Sequence, residues 1–236
     1  MPDADAAPAR RENLLVNLVF NLAIPTLVLS KLSSPDRLGP ALALIVALAS
    51  PLGYGLYDFV RRRKVNLISG IGFISVLLTG GLGLLKVDGL WFAVKEAAVP
   101  LVIATFVLAS MKTKRPLVRS LIYNEQVIDV ARVHARLEER QAVPAFERLL
   151  QRASYGLAAS FLLSAALNFG LARYLLKSPS GTEAFNAELA KMNALSLPLI
   201  AVPSTLVTVA VVWWLVSRIE KLTDLKLEEI FQPQNK

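Results

Sequence analysis

Lys95 and Glu96 are adjacent charges inside an otherwise apolar run of residues 91–111. An acid and a base in such surroundings can handle a proton or a cation, because burial penalises whichever charge is left unpaired. Glu96 is the deepest acid in any apolar run of the chain and therefore the first candidate for that chemistry. The plainer reading pairs it with a Lys or Arg at the edge of the run. Asn17 and Asn21 lie four apart in the first run, Asn168 lies in the fifth, and Arg173 closes the fifth. Together with Lys95 and Glu96 they form a candidate intramembrane polar site. A second set, Arg61, Arg62, Arg63, Lys64, Lys112, Lys114 and Arg115, is a basic cluster whose chemistry is attraction for anionic headgroups.

Other chemistries find little support. The chain has no Cys and one His, His134, which reads as a surface residue rather than a metal ligand or base. No His-Glu-x-x-His, Gly-x-Ser-x-Gly or P-loop pattern occurs. Gly80-Gly81-Leu82-Gly83 lies within an apolar run, where glycines serve packing or a kink rather than a phosphate cradle. Neither an enzyme nor a bound cofactor is expected.

The elements that position these residues follow from composition. In 236 residues, 54% are hydrophobic and only 19% charged, with a mean hydropathy of +0.50. A water-soluble domain carries roughly a quarter charged residues. About 18 to 25 apolar residues suffice to cross a bilayer as a helix, and six runs qualify: 13–32, 38–60, 65–85, 91–111, 153–176 and 194–217. Helices are required because backbone groups in lipid must find partners within their own segment. Pro25, Pro51, Pro100, Pro198 and Pro203 are expected to kink these helices. The first run, with Asn17, Asn21 and Pro25, does not read as a cleavable signal peptide. The fold class is therefore all-α, a polytopic membrane helical bundle of about six spans.

Lys and Arg set the orientation. Of 26 basic residues, nineteen fall at the ends and in the alternate connections holding Arg10, Arg61 to Lys64, Lys112 to Arg152 and Arg218 onward. The other side and its flanks hold seven: Lys31, Arg37, Lys86, Lys95, Arg173, Lys177 and Lys191. This places both termini in the cytoplasm. It also accounts for a pI near 9.9 without nucleic acid, for which no basic and aromatic interleaving is present.

Residues 117–152 form a cytoplasmic amphipathic segment. Val130, Val133 and Leu137 share one helical face, Arg132, Arg136 and Arg140 another, and Pro144 breaks the segment. The helix either lies in the lipid interface or packs on the bundle. Residues 177–193 form an outer loop in which Thr182 and Glu183 can start a short helix. Residues 218–236 form a cytoplasmic tail, with Trp213 and Trp214 at the interfacial level before it. Two stripes of small or polar residues, Gly156/Ser160/Ser164/Asn168 and Gly72/Ser75/Thr79/Gly83, favour close helix packing over a polar cavity.

From Tyr57 to Ile122 an ordered set of residues recurs in a known pattern. Tyr57 and the basic cluster Arg61 to Lys64 close one span. Gly80 and Gly81 mark the next, Lys95 followed by Glu96 opens another, and Lys114-Arg115-Pro116-Leu117 with Arg119 ends it. This resembles the bacterial intracellular septation protein A family and its larger multi-pass relatives. The chain differs in a longer N-terminal arm, the insertion from Leu121 to Arg152, and a larger outer loop. The resemblance implies a multi-pass protein of the bacterial inner membrane, non-enzymatic and concerned with envelope integrity or division. Its implied partners are anionic lipid, envelope or division proteins, or a second copy. The alternative is a small transporter or lipid-handling protein with a polar cavity near Glu96.

Overall fold

The computed structural model describes residues 18–62, 67–87, 89–113, 116–123 and 127–231, backbone only for 57–62, 67–74 and 122. Among the described residues there is no strand. A π-helical turn, Val19–Ala23, leads into α1 (Ile24–Leu32), followed by α2 (Gly39–Arg62), α3 (Leu67–Leu84) and α4 (Gly89–Ser110). Next come α5 (Leu117–Ile122), α6 (Val130–Glu139), α7 (Val143–Leu175) and α8 (Glu183–Ser196). A second π-helical turn, Leu197–Ala201, joins α8 to α9 (Val202–Thr223), and α10 (Leu227–Ile230) ends the described chain.

Among the described residues, four helical stretches are long and apolar enough to cross a membrane: Gly39–Leu56, Gly89–Ser110, Val143–Leu175 and Glu183–Thr223. Two shorter apolar helices, Val19–Leu32 and Ser75–Leu84, fall within the first and third runs. Residues 13–17 of the first run and the side chains before Ser75 in the third lie outside the described residues. Large apolar side chains such as Leu27, Leu56, Val102, Phe106, Leu206 and Trp213 point outward, as lipid-facing surfaces do.

The chain divides into two compact units, Met1–Phe92 with Ala172–Leu195, and Ala93–Leu171 with Ser196–Lys236. In the first, α3 lies close against α2 through glycine. A Cβ on Gly83 would come within 2.5 Å of a Leu44 methyl, and one on Gly80 within 2.9 Å of a Leu48 methyl. At Gly83 this is the close approach expected of the small-residue stripe on the third run, and Gly80, outside that stripe, adds a second such contact. Phe92 and Phe185 are fully buried and meet edge to face, with centroids 4.9 Å apart.

Gly89 opens α4 where a Cβ would sit 2.8 Å from the carbonyl oxygen of Leu176. That obstacle is backbone and cannot rotate away. Gly89→Ala is expected to destabilise the protein by about 1–3 kcal/mol. Gly81→Ala, with nothing within 4 Å of its Cβ, is expected to hold or gain stability because alanine is the better helix former. Thermal midpoints of the two variants in detergent check the contrast, and equal midpoints would refute it.

Residues 177–193 contain more helix than a loop. The Thr182 hydroxyl accepts the Phe185 N–H at 3.1 Å, and Glu183 stands in the first turn, where a negative charge suits the helix dipole. No strong stop signal follows, so the helix continues from Glu183 to Thr223 and carries the sixth apolar run within it.

In the second unit α7 and α9 run antiparallel. A Cβ on Gly156 would meet Val211 at 2.9 Å, and the Thr208 hydroxyl donates to Ser160 Oγ at 3.0 Å. Beyond this contact, α6 buries Val133 and Leu137 in a cluster with Val118, Ile128, Phe146, Leu150, Leu215, Ile219 and Ile230. The apolar face of α6 is thus filled by protein. Asp129 caps α6 by accepting the Arg132 N–H at 3.0 Å, while its own N–H donates to the carbonyl of Ile230 at 2.9 Å. Ion pairs Arg119–Glu147 at 2.8 Å and Arg140–Asp224 at 3.3 Å brace the periphery. Tyr123, tilted against Phe146, has its phenol pKa raised by burial, partly offset by Arg119.

The two π-helical turns share a cause. Ala23-Ile24-Pro25-Thr26 and Ala201-Val202-Pro203-Ser204 are near copies, and each proline follows its turn by two residues. Proline offers no N–H and its ring crowds the carbonyl four residues back, here in Asn21 and Leu199, so the helix widens there. In both copies the hydroxyl after the proline, Thr26 Oγ1 and Ser204 Oγ, is buried with no hydrogen-bond partner among the described residues.

Candidate functional site

Lys95 and Glu96 lie in the second turn of α4, with Pro100 one turn further on. Lys95 Nζ is 2.6 Å from Glu96 Oε1, and the side chains are 8% and 24% exposed. The acid is therefore neutralised by its sequence neighbour, and such a pair offsets much of the cost of placing either charge there. Glu96 keeps partial access to the outside while Lys95 is nearly covered.

The remaining candidates do not converge on this pair. Asn168 is half-buried on α7, and its amide nitrogen donates to the Ser164 carbonyl at 2.7 Å, satisfied by its own helix. Arg173 is exposed in the last turn of α7, where a positive charge complements the helix dipole. Asn21 is exposed within the first π-helical turn. Asn17 lies outside the described residues, as do Arg63, Lys64, Lys114 and Arg115 and the side chains of Arg61 and Arg62; Lys112 is exposed. His134 is exposed and paired with Glu138 at 3.2 Å. Among the described residues no three His, Cys, Asp or Glu side chains gather as a metal site would require.

Two polar features escape a reading of the sequence. Asn186 is fully buried on α8, donating to Ser33 Oγ at 3.0 Å and to the Pro40 carbonyl at 2.8 Å. Its partners stand about 150 residues earlier, so spacing alone could not reveal them. The signal was its place on one face with Leu189 and Ala190, both buried. Glu188 accepts the N–H groups of Lys177 and Ser178, at 2.9 and 3.0 Å, and the Ser178 hydroxyl at 2.8 Å. Ser180 donates to the Val87 carbonyl. Together these contacts tie down residues 177–181, polar groups spent on holding a connection in place.

Between α7 and α9 an open groove of about 360 Å³ is lined by Arg152, Gly156, Val207, Ala210, Val211 and Trp214. Apart from the guanidinium and the indole, its walls are aliphatic or glycine. Over the described residues these features define an all-helical protein with four helices long and apolar enough to cross a membrane. Compared with family models, curated proteins and solved structures, the chain matches none.

Proposed function

We propose that this chain is a non-enzymatic protein of the bacterial inner membrane, both ends cytoplasmic, supporting envelope integrity or division through helix, lipid and protein contacts. The observation that carries this reading is how its helices use their small and polar residues. Gly156, Ser160 and Thr208 join two long apolar helices, and Asn168 is satisfied within its own helix. Such groups are arranged for packing, not convergence on a reacting centre. The basic bias toward one side supports the orientation, and the ordered residues from Tyr57 to Ile122 support kinship with septation protein A. Deleting the gene is expected to alter cell shape, membrane potential or osmotic tolerance. Normal values of all three would overturn the proposal. Reporter fusions at both ends test the orientation, and a periplasmic signal from either would refute it.

A second reading, a small transporter or lipid-handling protein, draws on the Lys95–Glu96 pair with Pro100 one turn away and on the two proline-linked π-helical turns, since broken helices can frame substrate sites. Under it, Glu96→Gln abolishes flux in reconstituted vesicles. Unchanged flux would remove Glu96 from any transport role.

A further inference from the structure

The groove between α7 and α9 ends at a change in chain chemistry. Residues 153–172 of α7 and 192–217 through α9 carry no charge, and Arg152 and Arg218 follow directly at the same end of the two antiparallel helices. The contacts of Gly156 with Val211 and Ser160 with Thr208 set the register. By that register Arg152 stands beside Leu215 and Val216, level with Trp213 and Trp214. Tryptophan and arginine at the end of an uncharged helical run mark the depth of lipid headgroups.

Among the described residues Arg152 makes no ion pair or side-chain hydrogen bond, although it lines the groove. Arg148, one helical turn before it, is likewise exposed. Of the exposed acids of this unit, Glu147 is engaged by Arg119, Glu138 by His134, Glu139 by Arg136 and Asp224 by Arg140, Glu229 accepts the Lys226 N–H, and Glu228 stands on α10. An uncompensated guanidinium thus stands at the mouth of an aliphatic trough. Gly156 lets Val211 pack directly on α7 and so sets the floor of the trough, and the short side chain of exposed Ala210 leaves it open.

We propose that this groove binds one anionic phospholipid, its phosphate on Arg152 and an acyl chain along Gly156, Val207, Ala210 and Val211. The guanidinium fork matches two phosphate oxygens, and the trough supplies an apolar lane beneath them. The inference rests on the membrane reading above and adds to it a particular lipid class and place. It also makes Arg152 a specificity determinant, since zwitterionic lipid would use the same trough without a net negative partner for the guanidinium.

Titrating the purified full chain in a neutral detergent with dioleoyl phosphatidylglycerol or dioleoyl phosphatidylcholine, read by native mass spectrometry, tests this. The wild type is expected to retain phosphatidylglycerol preferentially. Arg152→Gln should lower that affinity about fivefold, the worth of one basic residue at a lipid surface, and leave phosphatidylcholine unchanged. Ala210→Phe, which fills the trough at an exposed position, should weaken both lipids. Arg136→Gln, on α6 and away from the groove, should change neither. Equal retention of the two lipids by the wild type, or equal losses in Arg152→Gln and Arg136→Gln, would overturn the proposal. A chain that stays monodisperse without detergent would overturn the membrane reading itself. A chain that needs detergent but shows no lipid preference would remove the lipid site alone.

Discussion

Phe185→Ala is expected to lower the stability of the first unit by about 3–5 kcal/mol. Phe185 is fully buried and meets an equally buried Phe92 at an interplanar angle of 61°. Removing one ring leaves a cavity that its neighbours can only partly close. The penalty holds whether the outer medium is lipid or water, because lost dispersion contacts do not depend on hydration. Leu189 and Met192 on the same helix are also buried, and they restrict relaxation into the space. A double-mutant cycle with Phe92→Ala should return a coupling of about 0.5–1.5 kcal/mol for the edge-to-face pair. Unfolding midpoints in a fixed detergent provide the measurement. A midpoint unchanged from wild type would show that this packing is not formed.

Leu137→Ala is expected to cost about 2–5 kcal/mol in the second unit. Leu137 and Val133 stand on the buried face of α6 within a cluster that draws on α7, α9 and α10. A helix lying on lipid would respond differently. There the substitution would weaken membrane partition and leave folding untouched, since no protein cavity would form. Protease cleavage in residues 123–142 separates the two outcomes. Leu137→Ala should speed cleavage strongly, while Ala135→Glu, on the exposed face, should stay within about 0.5 kcal/mol of wild type. Equal cleavage of all three proteins would mean that α6 does not depend on the cluster.

Much of the secondary structure was readable before any tertiary contact. Uncharged runs of helical length mark the helices, and Thr182 announces the start of α8 by the side chain that caps it, whereas the cap that Asp129 places on α6 emerges from the structure. The Gly156/Ser160 stripe indicated a close approach by another helix. It could not say which helix, because Val211 and Thr208 lie about fifty residues away and only chain closure brings them near. Ser178, Pro179 and Gly181 dominate the start of residues 177–193 and give that stretch the composition of a loop. Its later half is helical because the Thr182 cap and a buried face outweigh local composition.

For the candidate site, the sequence alone determined that Lys95 and Glu96 would be neighbours, since adjacency is covalent. It also determined where charge ceases along α7 and α9, and so where Arg152 falls. Only the tertiary structure decided that Lys95 would be covered while Glu96 kept partial exposure. It alone placed Asn186 against Ser33 and Pro40, and opened a trough beside Arg152. Burial and cavity shape belong to surfaces assembled from distant segments, whereas charge and helical period belong to each segment by itself.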